Sequence, residues 1–321
     1  MRAGRDCPLD YRLAAHAFAG EPLFDCAALY VAGGLYGNRQ ALSALQRLVG
    51  AEPGARLVFN GDAHWFDCDV QLFAEIEAVL QAHLALRGNV ETELGRADES
   101  GAGCGCAYPD AVDDAVVERS NAIQRCLRAS VAHLPGMAAR LAARPATALV
   151  SVAGRRVAIS HGDEQSLAGW SCSREALGHA ERRQQLDAWF AAQAVEVLAT
   201  SHTCAAVALN LVHGALINNG AAGLPNFADG RYGLVSRIAR SAHPAALYRC
   251  QRDGLFVEAL ALHYEHAAFL ADFDRQWPAH SPAAQSYRAR ILGGASEPVA
   301  AALLGGFTPC ERLGAGEARN A

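Results

Sequence analysis

Four positions in this chain combine the side-chain types and local settings that metal chemistry needs: Asp62, Asn89, His161 and His202. Each follows a short apolar run and stands in a turn, in the strings FNGD, LRGN, ISHGD and TSHTC. One carboxylate, one amide oxygen and two imidazoles make a mixed oxygen and nitrogen set. Such a set suits Mn, Fe, Co, Ni or Zn better than Mg or Ca, which prefer oxygen alone. Glycine neighbours let the backbone turn sharply and approach an ion closely. Taken singly, a GD or GN pair is an ordinary turn, and a strand-end His an ordinary hydrogen-bonded residue. Four in succession, each after an expected strand, point to a metal centre.

The elements that must position these residues follow from the apolar pattern. Runs at 28–31, 56–59, 84–86, 157–160, 195–199 and 216–217 are short and partly β-branched, and read as buried strands. Between them, residues 39–49 place Leu42, Leu45, Leu48 and Val49 on one helical stripe, and 70–84 do so with Leu72, Phe73, Ile76, Val79 and Leu80. This alternation predicts a parallel sheet that binds its ligand at the strand ends. Runs at 233–238, 246–250 and 255–262 lack intervening helices and predict a meander in a second sheet packed on the first. Helices are expected over 113–129, 136–143, 263–274, 282–292 and 297–304. The expectation is a single α/β domain over 1–321, with 92–150 as a cap-like helical insertion and 263–321 as C-terminal helices. No Pro- or Ser-rich linker and no repeat divides the chain.

Composition removes several classes. With 51% hydrophobic and 19% charged residues the chain is globular. All 28 basic residues are Arg, so Schiff-base, Walker A and kinase lysines are excluded. Neither G-x-S-x-G nor G-x-G-x-x-G occurs. A net charge of −5 offers no basic footprint, which argues against nucleic acid and anionic lipid as partners. No apolar run is long enough to predict a membrane span, and the first residues lack the apolar stretch of a signal peptide. Ten Cys in 321 residues read as reduced thiols, so a cytoplasmic location is expected.

From VAGGLYGNRQAL through FNGD, LRGNVE, ISHGD, TSHTC and INNGAAGLPNF, roughly Tyr30 to Phe227, the sequence resembles the calcineurin-like metallophosphoesterase family. That family's pattern is D-x-H-G-N, then G-D, G-N-[HC]-[DE], H-G, G-H-x-H and a closing N-x-G-S-x-G-like turn. The small bacterial phosphodiesterase-like subgroup is the most similar, because Val90 stands where those members often carry Cys. The resemblance implies a four-layer α/β fold, two β-sheets face to face with helices outside. It also exposes departures. Gly34 and Tyr36 stand where the first Asp and His ligands belong, and Ser201 and Cys204 replace the Gly and second His of G-H-x-H. In the family the missing ligands, with a shared Asp, hold one of two metals. Asp62, Asn89, His161 and His202 match the ligands of the other.

The resemblance therefore implies one tight divalent transition-metal site and a phosphoesterase hydrolysing a small phosphodiester or phosphomonoester. Arg39, His64 and the amides near Asn218 to Gly220 are candidates to stabilise the phosphate. His64 reads as general acid or phosphate donor, or as an inert core or surface His. Glu91 orients a ligand or caps a helix, and Asp163 supports an imidazole or closes a turn. Cys204, with Tyr36, Cys68, Cys104 and Cys106, would make a softer replacement metal centre or a redox pair, against the plainer role of buried apolar residues. The alternative function, from a different class, is a catalytically silent relative that binds a phosphate-bearing ligand or a protein partner. Oligomeric state is not written in the sequence.

Overall fold

The computed structural model describes residues 2–97, 101–228 and 230–310. After a short 3-10 turn, the chain forms β1 (Asp25–Cys26), β2 (Ala28–Ala32), α1 (Arg39–Gly50), β3 (Ala55–Asn60), α2 (Val70–Leu80), β4 (Leu84–Leu86) and α3 (Asn89–Gly95). It leaves the sheets for α4 (Asp114–Ala132) and α5 (Met137–Ala142). It returns with β5 (Thr147–Val152), β6 (Arg155–Ser160), α6 (Ala180–Gln193), β7 (Val197–Thr200), β8 (Ala206–Asn210) and β9 (Ala215–Asn219). The meander β10 (Gly233–Ala239), β11 (Ala246–Arg252) and β12 (Leu255–Leu262) follows, then α7 (His266–Gln276), α8 (Pro282–Gly293), β13 (Leu303–Gly305) and β14 (Thr308–Pro309).

Two seven-stranded sheets result, in the orders β1-β5-β6-β7-β9-β8-β13 and β14-β11-β12-β10-β2-β3-β4. Alternation along the strands explains why they stack. Leu29, Val31 and Val58 point inward with Val157, Ile159, Val197, Ile217 and Val257 to form the inter-sheet core. The alternate residues Tyr30, Ala32, Leu57 and Phe59 meet Leu42, Leu45, Leu72 and Ile76 of α1 and α2. On the far side, Ala158, Leu198 and Leu216 meet Leu186 and Phe190 of α6. The helices are capped from their own sequence: Asn38 Oδ1 accepts from Ala41 N at 2.8 Å, and Asp69 Oδ1 from Leu72 N at 2.8 Å.

The layers match the expected architecture, but the strands are shared out differently. The meander does not make the second sheet: β10 pairs antiparallel with β2, so it extends the sheet of β2, β3 and β4. The second sheet forms around the parallel strands β6, β7 and β9. Residues 297–304 are not a helix. After Pro298 only a 3-10 turn, Val299–Ala302, forms, and Leu303–Gly305 then pairs in parallel with β8. Thr147–Val152, at the end of the 92–150 stretch, is a core strand antiparallel to β6.

Parallel β3, β4, β6, β7 and β9 bring Asn60, Leu86, Ser160, Thr200 and Asn219 to one rim of the molecule. The N-terminal segment braces the helical stretch above that rim. Gly4 N donates to Ala102 O at 2.7 Å, and the Tyr11 hydroxyl donates to Glu93 Oε1 at 2.7 Å.

Arg237 on β10 lies opposite Glu258 on β12 and is almost wholly buried. Its guanidinium donates to Glu258 at 2.6 Å and to Glu52 Oε2 at 2.8 Å. Removing one partner from a buried pair leaves a charge without compensation. Arg237→Ala should therefore lower unfolding stability by about 3–5 kcal/mol, read from the urea midpoint. A loss below about 1 kcal/mol would mean that water screens the cluster.

Candidate metal centre

Asp62 stands after β3, Asn89 opens α3, His161 follows β6 and His202 follows β7. Ligand atoms of Asp62, His161 and His202 all lie within 4.8 Å of one another, and the three residues are buried. His161 Nε2 is 3.3 Å from Asp62 Oδ2, 3.2 Å from Asn89 Oδ1 and 3.2 Å from His202 Nδ1.

The outer contacts decide which way each lone pair points. His161 Nδ1 faces Asn60 O at 2.8 Å, and His202 Nε2 faces Cys106 O at 3.0 Å. A carbonyl only accepts, so each of these nitrogens carries the ring proton of a neutral imidazole. The other nitrogen of each ring then turns a lone pair inward. Asn89 Nδ2 donates to Cys104 O at 2.9 Å, which turns Oδ1 inward as well. With both rings neutral, four electron-pair donors converge, and a cation is what such a set fits.

The same field attracts protons. Burial pushes the His161 pKa down, but the Asp62 carboxylate outweighs it and raises the value. Burial, reinforced by the charge of His161, drives His202 down to about 3. Proton and metal thus compete for one position.

Glu91 holds the ligand loops. Its Oε2 accepts from the N–H groups of Asp62 at 2.9 Å and Gly88 at 2.7 Å, and its Oε1 from Ala63 at 2.8 Å. Asp62 needs this support because its φ is 53°, in the left-handed region that non-glycine residues avoid. Tyr36 and Cys204, at φ 57° and 54°, share that conformation. Gly88 is required by proximity, since a Cβ there would lie 2.3 Å from Asp62 Oδ1.

The helical stretch contributes carbonyls where thiols were expected. Gly103, Gly105 and Ala107 have φ of 64°, 67° and 50°, and the intervening Cys104 and Cys106 turn their carbonyls to Asn89 and His202. Cys106 O also accepts from Trp170 Nε1 at 2.9 Å. All ten cysteines are free thiols. Cys204 is not among the converging donors; its thiol is hydrogen-bonded to the Tyr36 hydroxyl. Burial and the neighbouring Cys204 push the Tyr36 pKa far up, so the phenol is neutral.

The other expected groups are engaged elsewhere. His64 is fully buried, with Nδ1 2.5 Å from Asp67, Nε2 2.7 Å from Glu77, and its ring stacked on Phe73 at 3.6 Å. Neither nitrogen is left for a substrate. Arg39 donates to Asp272 at 2.8 and 3.1 Å and does not line the cavity over the metal centre. Gly220 N–H donates to Asn218 Oδ1 at 2.8 Å. Asp163 accepts from the amides of Gln165, Ser166 and Ser171, the turn role.

That cavity, of about 110 Å³, was not foreseen. Its walls include Tyr36, Trp65, Tyr108, Trp170 and Tyr287, from five separate segments. Trp170 meets the His202 ring edge-on at 5.4 Å. Of these, Tyr36 stands at a position the family pattern gives to a ligand, and Trp65, inside GDAHWFD, falls three residues after Asp62.

The two stacked sheets with outer helices and a rim-bound ligand cluster define the calcineurin-like metallophosphoesterase fold. The structure is similar to that of a hypothetical protein from Pyrococcus horikoshii, with TM-score 0.57 and 12% identity over 84% of this chain and 99% of that one. It is also similar to a metallophosphoesterase from Sphaerobacter thermophilus, with TM-score 0.54 and 13% identity over 84% of this chain and 100% of that one. At these identities the likeness is one of fold. No protein-family model and no curated protein matches the sequence.

Two outcomes follow. Glu91→Gln turns an accepting oxygen into an amide group facing backbone N–H, so metal affinity should fall about 10–100-fold in a chelator competition. Unchanged affinity would mean that the loops hold themselves. The second concerns pH. Burial alone would lower the His64 pKa, but Asp67 and then Glu77 raise it from 6.5 to about 9. Burial would raise Glu77, but His64 and Arg144 lower it from 4.5 to about 2. The His64 contribution, about 3 kcal/mol, is complete below pH 6.5 and lost as pH rises through about 9. The Glu77 contribution is complete above pH 4.5 and lost as pH falls through about 2. The stability gap between wild type and His64→Gln should thus shrink between about pH 6.5 and 9.5. A constant gap would show that His64 is not charged at neutrality.

Proposed function

We propose that this protein is a metal-dependent phosphoesterase that hydrolyses a small phosphodiester or phosphomonoester through one divalent transition-metal ion held by Asp62, Asn89, His161 and His202. The observation that carries this is the inward convergence of four lone pairs whose outer partners fix their orientation. The mixed donor set suits Mn, Fe, Co, Ni or Zn. A divalent ion there supplies Lewis acidity toward a phosphoryl oxygen and lowers the pKa of a water.

The chain's own residues set the conditions for that chemistry. Asp62 brings the one negative charge of the set, and the two imidazoles remain neutral donors. Glu91 holds Asp62 and the start of α3 at a fixed spacing. Trp170 and Tyr108 pack on the His202 side. Tyr36 and Cys204 pair with each other beside Asp62, where the resemblance places ligands of a second ion. That pairing favours a one-ion mechanism, without a water shared between two metals. It also supports a second reading: a relative that binds its phosphate-bearing ligand without turnover. Ten free thiols fit a reducing compartment such as the cytoplasm.

The test is turnover of bis(p-nitrophenyl) phosphate and p-nitrophenyl phosphate by protein loaded in turn with each of the five metals. The expected result is about one ion per chain and activity abolished in Asn89→Ala and His161→Ala. Bound metal and bound phosphoester with no turnover under any of the metals would leave the second reading in place.

A further inference from the structure

The cavity over the metal centre is built unlike a phosphate-binding cleft. Among its lining residues Asp62 carries the only formal charge of an acid or base, and none is Arg. Arg290, next to this wall, donates to the carbonyls of Pro225 at 2.7 Å and Cys204 at 3.3 Å. Five of the other lining side chains are aromatic. Tyr108 and Trp170 are 5.9 Å apart and lean on the His202 side, while Tyr36 packs against Phe66 at 5.9 Å.

One polar group on this wall is left over. Among the described residues the buried Trp65 indole N–H has no acceptor at normal hydrogen-bond geometry and makes at most a weak contact with the Tyr287 hydroxyl. A buried donor left without an acceptor costs about 1–3 kcal/mol, and an oxygen on a ligand in the cavity would remove that cost.

Size narrows the occupant. The cavity of about 110 Å³ is somewhat smaller than an engineered apolar cavity of about 150 Å³ that admits benzene. It encloses at most one compact ring beside the ion's position, and no polymer.

Charge narrows it further. A divalent cation with the Asp62 carboxylate sums to one positive charge at this buried position. A phosphodiester monoanion neutralises that charge. A phosphomonoester dianion leaves one negative charge buried with no cation on the wall to meet it, which is costly at low dielectric.

We propose that this site selects a monoanionic phosphodiester bearing one compact aromatic substituent, with the ring held among Trp65, Tyr108, Trp170 and Tyr287 and an ester oxygen accepting from the Trp65 N–H. This rests on the phosphoesterase reading and narrows its substrate class. Trp65 and its neighbours act as specificity residues, distinct from the ligands of the ion.

The experiment measures binding, by calorimetry and tryptophan fluorescence, of three non-hydrolysed probes to the Mn- or Zn-loaded protein at about pH 8, where the phosphonate is dianionic. The probes are methyl phenylphosphonate (an aryl monoanion), phenylphosphonate (an aryl dianion) and dimethyl phosphate (a monoanion without a ring). Methyl phenylphosphonate should bind at least about tenfold more tightly than either of the others and quench tryptophan emission. Trp65→Leu should reduce its affinity to that of dimethyl phosphate while metal content stays unchanged. If that variant fails to fold, Tyr287→Leu, at a partly exposed position, gives the same readout. Equal binding of the aryl and methyl monoanions, or tighter binding of the dianion, would overturn this inference and leave the phosphoesterase reading standing. Failure of all three probes to bind the loaded protein, with no phosphoester turned over, would overturn both.

Discussion

With both imidazoles neutral, four electron-pair donors pointed at one another in the protein interior repel, and the hydrogen bonds around them hold them there. Asp62, Asn89, His161 and His202 come from four separate strand-end turns, so none can be placed by local sequence alone. What makes the arrangement tolerable is that every ligand has a fixed outer partner. Two imidazoles donate to the carbonyls of Asn60 and Cys106, and the amide donates to Cys104. The Asp62 turn, in a left-handed conformation, is held by Glu91. Those partners oppose rotation of the side chains, and the arrangement is one that a cation would fit.

The helical stretch between α3 and β5 has a larger part in this than a lid would. Its Gly-Cys-Gly-Cys turn reaches two ligands through backbone carbonyls, and one of those carbonyls also fixes Trp170. Orientation of the ion's ligands and construction of the aromatic wall are thus coupled through Cys106. The N-terminal segment supports both by pairing with Ala102 and Glu93. At the other side of the site, Tyr36 and Cys204 satisfy each other, and the space beside Asp62 is closed by a phenol and a thiol where the family pattern has ligands.

Much of this was legible in the sequence, for a local reason. Short apolar runs, partly β-branched, marked β2, β3, β4 and β6, because strands buried on both faces read as continuous apolar segments. The 3.6 period marked α1 and α2, because each buries a continuous stripe. Where the local signal was thin, the reading missed. Helix α6 buries only Leu186 and Phe190, and Gln, Arg and Ala fill the rest. Strand β8, AVALN, is too short and Ala-rich to favour strand over helix. Residues 297–304 took their form from an open sheet edge, which no sequence window contains.

The sequence by itself determined which residues could bind an ion, in what order they occur, and that Gly34, Tyr36 and Cys204 break the two-metal pattern. These are matters of residue type and spacing along the chain. Only the tertiary structure decided which donors face inward, that His64 is spent on Asp67 and Glu77 and Arg39 on Asp272, and that aromatic rings from five distant segments roof the site. Hydrogen-bond direction and cavity walls depend on partners far apart in the chain, and those distances are set only when the two sheets close on each other.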